Sequence, residues 1–410
     1  MAVSGLPPVH DEKLTATGME ILVVTWNYPP RQGGMEQLLA KLCAGLSHRH
    51  CVSVITAYAE KNVTAGSEVV FRPAAPGLLR YFLFAVTKGF ALLRGNHKIR
   101  VVLGGSVLVA PIVVFLSRLF RRKGIILAHG LDLIHRNWLY QFGFVQCLRF
   151  ADRVIANSWH TAKLVVQKGV DDSAIEVIPP GVDGQRFQTA ENPDALKQRF
   201  GLVNRKIILF VGRLARRKGV KEFIDRCLIH IIRQTPEVCF LIAGDNPMES
   251  LAHHHDVASE IRQTIANQNL SDHARWLAAV SDTELVQLYG LCDVLVLPLL
   301  DLDEDVEGFG MVALEASAMG KPVVAFGCGG IVDAVEDGKS GILVEPGNYQ
   351  AMSAVIVSLL NDPDMATSIG RCGQKRVIRD FTWNRIVVRY ETVFNRADEK
   401  ILKTPSQSLI

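Results

Sequence analysis

Two carboxylates, Glu307 and Glu315, stand eight residues apart in VEGFGMVALEASAMGKPVVA (306–325), just after the apolar run DVLVLP and the acidic stretch LLDLDED. The pattern places Glu307 in a loop and Glu315 a turn into a helix that opens near Gly310. Glycines there let backbone N–H groups approach a ligand closely, and a helix start can receive a phosphate. Glu315 can then accept two hydrogen bonds from a ribose diol. Upstream, VGRLARRKG (211–219) carries Gly212, Arg213, Lys218 and Gly219 at a strand end before a helix. Two cations so placed suit a diphosphate better than a single carboxylate. Their neighbours Arg216 and Arg217 read as surface charges.

A third feature is the Gly33-Gly34 turn in NYPPRQGG, and a fourth is His129 in ILAHGLD, at a strand end from which it can reach a cleft. Asp132 follows it closely and is a candidate for the same side. Two clusters invite a metal reading and do not earn it. The acidic run Asp301, Asp303, Glu304 and Asp305 lacks the spacing of a ligand set and reads as a solvated loop. The triplet His253, His254, His255 reads as exposed.

These residues need strand ends to carry them, and the chain supplies strands in alternation with helices. EILVVTW (20–26) is an apolar run without alternation, as in a strand buried on both faces, and helical periodicity from Met35 leads to CVSVITA (51–57). VVFR, RVVLG, GIILAHG and DRVIANS continue the series, with helices near 78–94, up to 120, near 139–150 and from Trp159 to Lys168, and IEVIPPGVD (175–183) ends in turn chemistry. A polar stretch follows. KIILFVG, VCFLIAG, RWLA, DVLVLP, PVVAF and GILVEP form a second series, with helices from Lys218, around 249–269, at 282–290 and at 311–319. Two doubly wound, Rossmann-like α/β domains in tandem are the expectation. The divisions are a flexible leader (1–18), a first domain (19–180), a linker (181–205), a second domain (206–381), a last helix (382–397) and a tail (398–410).

The 410 residues carry 45 Lys/Arg and 41 Asp/Glu. Residues 1–200 hold a net +9 and the rest a net −5. Between Glu68 and Asp132 there are ten cations and no acid, which points to an anionic partner of the first half. Arg118, Arg121, Arg122 and Lys123 are the candidates for that contact. YFLFAVTKGFALLRGNHKIR mixes Phe82, Phe84, Phe90, Leu92 and Leu93 with cations, as a peripheral membrane surface does. No helix has the dense basic stripe of a nucleic-acid binder. Val101–Phe120 has the length of a membrane span, but Gly104, Gly105, Ser106 and Pro111 divide it into a strand and a helix. Eight cysteines without a CxxC pair read as reduced thiols in the cytoplasm, with peripheral attachment to the inner face of the membrane.

Taken in order, the GG turn (33–34), the HG pair (129–130), PGVD (180–183), GRLxxxKG (212–219) and EGFGxxxxE (307–315) resemble the GT-B glycosyltransferases, specifically the retaining family 4 group. The likeness runs from about residue 20 to 397. The segment DVEGFGMVALEASAMGKPVVA looks most like bacterial enzymes that glycosylate lipids or lipid-linked intermediates, such as phosphatidylinositol mannosyltransferases.

The resemblance implies a nucleotide-sugar donor, UDP- or GDP-hexose, held in the second domain, and a lipid, lipid-linked or saccharide acceptor in the first. Arg213 and Lys218 would hold the diphosphate and neutralise charge on the leaving group. Glu307 with Gly308, Phe309, Gly310, Met311 and Val312 would orient the sugar, Glu315 the ribose, and Gly33, Gly34 and Gly212 would approach the donor. His129 would lie near the anomeric carbon. Retention would proceed by same-face attack, with the departing phosphate oxygen taking the proton, and would need no cofactor and no metal. The last helix would return to the first domain. A sugar-nucleotide epimerase on the same plan and a non-catalytic partner subunit are the alternatives. The missing GxGxxG after ILVVTW and the missing acid at the end of CVSVITAY speak against a dehydrogenase.

Overall fold

The computed structural model describes residues 18–31, 33–59, 64–184, 186–187, 192–246, 256–302 and 305–396. The chain divides into two compact units, one made of Met1–Gly181 with Trp383–Ile410 and one of Val182–Thr382.

The first unit is built on seven parallel strands. They are β1 (Glu20–Val24), β2 (Cys51–Ile55), β3 (Val69–Phe71), β4 (Ile99–Gly104), β5 (Lys123–Ala128), β6 (Arg153–Ala156) and β7 (Ile175–Val177), in the order β3-β2-β1-β4-β5-β6-β7. The central strands are apolar throughout because both faces are covered, and Leu22, Val23, Val102, Leu103, Ile125 and Ile126 are fully buried. Helix α1 (Gly34–Ser47) packs Leu38, Leu39, Leu42 and Leu46 on one side, and α2 (Leu78–Gly95) and α3 (Ala110–Leu119) cover the other. The span-length stretch 101–120 is thus divided between β4 and the ten-residue α3. Among the described residues no helix is long and apolar enough to cross a membrane.

The second unit has six parallel strands. They are β8 (Lys206–Val211), β9 (Val238–Ala243), β10 (Ala274–Trp276), β11 (Val294–Leu297), β12 (Val323–Phe326) and β13 (Ile342–Val344), in the order β10-β9-β8-β11-β12-β13. Both sheets reverse their winding beside their first strand, between β1 and β4 and between β8 and β11. At such a reversal the loops leaving two adjacent strands diverge to opposite faces and leave a crevice at the carboxyl edge.

Three expectations are revised. Residues read as a linker (181–205) lie, from Val182 on, in the second unit, where the helix Pro193–Arg199 buries Leu196 and β8 follows directly. The helix expected from Lys218 begins at Val220: Arg216–Lys218 form a tight 3₁₀ turn, and Gly219 breaks the spiral at φ +65. The segment near 139–150 is a short helix, Trp138–Gly143, followed by a 3₁₀ turn, Val145–Phe150. The helix Trp383–Arg396 packs Ile386, Val387, Tyr390 and Phe394 into the core of the first unit. All eight cysteines are free thiols. The leader up to residue 17, the tail, His253, His254, His255, Asp303 and Glu304 lie outside the described residues.

Candidate active site

In the second unit the loops leaving β8 and β11 meet at the reversal. The loop after β8 turns at Gly212 (φ +147) and places Lys218 beside it, with its Nζ within ordinary contact of the position a Cβ at Gly212 would take. The Nζ of Lys218 donates to Oε2 of Glu307 at 2.6 Å. Arg217 lies beside them, its Nε 3.5 Å from the same oxygen and its NH1 3.1 and 3.4 Å from the two oxygens of Asp305. The backbone ties the loops as well, with Leu300 N–H donating to the Arg217 carbonyl at 2.7 Å. Arg217, Lys218 and Asp305 are all buried. Two readings therefore change: Arg217 is an internal cation, and Asp305 belongs to an ion pair and not to a solvated loop. Arg213 and Arg216 are exposed on the same turn, as is Asp301 on the facing loop.

Burial by itself would raise the Glu307 carboxyl, but Lys218 and then Arg217 outweigh it and hold it down at about 2. The site thus carries a carboxylate at neutral pH, while burial lowers the Lys218 ammonium and the Glu307 charge pulls the other way. Next in the chain, Phe309 is buried against Phe381, and Gly310 adopts φ +86 to open the helix Met311–Ala318. The positive dihedral favours glycine there, and an added Cβ would also push on Ile331 Cδ1, 2.6 Å away. Behind Gly308, Gly330 N–H donates to the Glu307 carbonyl at 2.8 Å, which pins the loop. The half-buried Met311 and Val312 form the first turn of the helix.

Glu315 has a partner of its own. The hydroxyl of the fully buried Tyr289 donates to its Oε2 at 2.7 Å. Tyr289 is stationed by the helix Asp282–Leu291, whose start is fixed by a reciprocal cap between Ser281 and Glu284. Burial raises the Glu315 carboxyl, with the Tyr289 bond pulling the other way.

In the first unit, Gly33 precedes α1 in extended backbone, and a Cβ there would overlap the Glu36 carboxylate. Glu36 is buried in the first turn of the helix and accepts from Asn27 Nδ2 at 2.7 Å. His129, at the end of β5, is buried, and its Nε2 lies 2.9 Å from the carbonyl of Gly105, at the end of β4. A carbonyl only accepts, so Nε2 carries the proton and Nδ1 is the ring atom left for other partners. Asp132 is fully engaged with backbone, accepting from His129 N–H at 2.9 Å and Val107 N–H at 3.2 Å. It shapes the loop that holds His129.

The cationic candidates of this unit separate. Arg118 is exposed over the Phe150 ring, Arg121 is exposed, Arg122 is half-buried, and Lys123 Nζ turns inward to the Phe394 carbonyl at 3.1 Å. Of the apolar residues picked from 81–100, only Phe90 is exposed, and Leu93 is fully buried. Other apolar side chains of the unit are exposed, among them Leu79, Leu83, Phe115, Leu119, Trp138 and Phe142.

Sequence reasoning missed Arg217, Asp305, Tyr289, Asn27 and Glu36. Tyr289 lies 26 residues from its partner, and nothing local links them. Glu36 carried a usable signal, an acid in the first turn of a helix.

Comparison with known proteins places the chain in a family. Residues 193–376 match the family described as "Glycosyl transferases group 1" and residues 32–186 that described as "Glycosyltransferase Family 4". A GDP-mannose-dependent alpha-(1-6)-phosphatidylinositol monomannoside mannosyltransferase of Mycolicibacterium smegmatis is 30% identical over 386 residues, covering 88% of this chain and 95% of its own. D-inositol 3-phosphate glycosyltransferase 2 of Catenulispora acidiphila is 31% identical over 62% of this chain and 58% of its own. Among solved structures, HepE of Anabaena in complex with UDP and glucose superposes with a TM-score of 0.74 at 23% identity, over 92% of this chain and 99% of that one. Sucrose-phosphate synthase of Thermosynechococcus elongatus gives 0.74 at 21% identity, over 92% and 98%. With two Rossmann-like sheets, the glycine-bounded charge pair at the edge of the second, and these relatives, the chain is a GT-B glycosyltransferase and belongs to the family 4 group.

Proposed function

We propose that the protein transfers a hexose from UDP- or GDP-sugar, with retention, to a lipid, lipid-linked or saccharide acceptor. The observation that carries this reading is the ion pair of buried Lys218 with Glu307 at the carboxyl edge of β8 and β11, bounded by the glycines of EGFG. Lys218, assisted by the exposed Arg213, takes the donor's diphosphate and stabilises the charge that grows on it as the glycosidic bond breaks. Glu307 and the amides of Gly308–Met311 bind the sugar hydroxyls, and Glu315, stationed by Tyr289, binds the ribose. Of the first unit, His129 is assigned to the sugar, and Gly33 and Gly34 to the phosphate and the acceptor. Same-face attack needs no metal: the leaving phosphate oxygen takes the proton of the attacking hydroxyl.

The relatives named for GDP-mannose and for inositol-containing acceptors make a mannosyl donor and an inositol lipid the first pair to try. An anionic lipid surface also suits the exposed Leu79, Leu83, Trp138 and Phe142 of the first unit together with Arg118 and Arg121. Transfer assays over a panel of sugar nucleotides, with membrane lipid as acceptor, test the reading. Glu315→Ala and Lys218→Ala are expected to lower kcat/KM by at least about a hundredfold with unchanged circular dichroism. Wild-type rates in either variant contradict the site.

A further inference from the structure

The four charges between the loops after β8 and β11 form an unequal set. Lys218 has one carboxylate partner, Glu307, whereas Arg217 reaches two, Asp305 through NH1 and Glu307 through Nε. All four side chains are at most 15% exposed. Removing the counter-ion of a buried carboxylate is strongly unfavourable. That poses a problem for donor binding, which rests here on the assignment of Lys218 to the diphosphate. If the ammonium leaves Glu307 for an incoming anion, Glu307 needs another cation already in place.

We propose that Arg217 is a positioning residue, the second counter-ion of Glu307, which lets Lys218 exchange the Glu307 carboxylate for the donor diphosphate. A guanidinium suits the task because its planar fork presents five N–H donors in fixed directions, so it serves two carboxylates at once where an ammonium on a flexible stem serves mainly one. Asp305 holds the NH1 edge, the Arg217 carbonyl is fixed by Leu300 N–H, and Nε stands 3.5 Å from Glu307 Oε2, an ion-pair contact without a hydrogen bond. Among the described residues, the other ionisable groups around the cluster are Arg213, which bears on Lys218, and Cys328 and Asp301 on the Glu307 side. Neither of the latter two supplies a cation, so Arg217 is the partner Glu307 keeps. Before the donor arrives Glu307 is shared between two cations, and afterwards it relies on one.

The test is calorimetric and uses the full chain with four probes: GDP, UDP, guanosine and uridine. Arg217→Met alone takes the guanidinium away from the Asp305 carboxylate, so the informative variant is R217M/D305L, which removes both charges of that ion pair. In it Glu307 has only Lys218, and the pair is locked. Affinity for whichever nucleoside diphosphate the wild type binds is expected to fall about tenfold, while the matching nucleoside binds as in wild type and the melting temperature stays close to wild type. The donor KM is expected to rise with kcat moving less. Unchanged diphosphate affinity in the double variant overturns the proposal, and so does an equal loss for nucleoside and diphosphate, which marks a general structural defect. A wild-type protein that binds neither GDP nor UDP instead overturns the donor assignment itself.

Discussion

At the scale of single residues, burial and charge act in opposite directions on the two glutamates of EGFGxxxxE. Glu307 has two cations and a carboxyl held at about 2. Because its folded value lies below the unfolded one of roughly 4.3, its contribution to stability is complete above that unfolded value and is lost as pH falls through about 2. Glu315 is raised by burial and has a neutral hydroxyl as its bonded partner. Tyr289→Phe removes that hydroxyl while filling nearly the same volume. It is expected to weaken binding of the nucleotide donor about tenfold, in line with roughly 1.5 kcal/mol for a hydrogen bond to a charged group. The Glu315 carboxyl should then titrate higher still, so calorimetric affinity in this variant should improve with rising pH more than in wild type. A flat profile at wild-type affinity would remove Tyr289 from the site.

At the scale of elements, the 3₁₀ turn Arg216–Lys218 and the break after it explain why GRLxxxKG ends in glycine. Gly219 adopts φ +65, and a Cβ there would overlap the Pro298 carbonyl oxygen at the end of β11. That contact brings the β8 and β11 loops close enough for Lys218 to meet Glu307. Gly219→Ala combines a left-handed dihedral with an overlap, and is expected to destabilise the protein by about 2 kcal/mol or more. Thermal melting should show a drop of several degrees, with donor binding reduced further than at Gly201. Gly201 also has positive φ, but nothing lies within 4 Å of an added Cβ, and Gly201→Ala is the control. The helix Asp282–Leu291 and the helix Met311–Ala318 play the matching part for Glu315, one carrying its hydroxyl partner and the other the carboxylate.

At the scale of the whole molecule, the first unit is discontinuous and the second is not. The helix Trp383–Arg396 completes the first core, where Glu391 meets the buried His50 at 2.9 Å and Arg49 at 3.1 Å. A fragment of residues 1–181 therefore leaves the apolar seat of Ile386, Val387, Tyr390 and Phe394 open and is expected to aggregate. Adding residues 383–396 in trans or by fusion should restore a soluble monomer in size-exclusion chromatography, and a fragment equally soluble without them would contradict the helix's role in that core. The sequence by itself determined the alternation of strands and helices, and so the two parallel sheets, because an apolar run buried on both faces differs from an amphipathic helix at short range. It also determined the glycines, Lys218, Glu307 and Glu315, since each lies in a local pattern tied to a strand end or a helix start. Only the tertiary structure decided that Arg217 faces inward, that Asp305 is its partner 88 residues away, and that Tyr289 holds Glu315. Those pairings depend on strand order, and strand order brings together loops that no local periodicity connects.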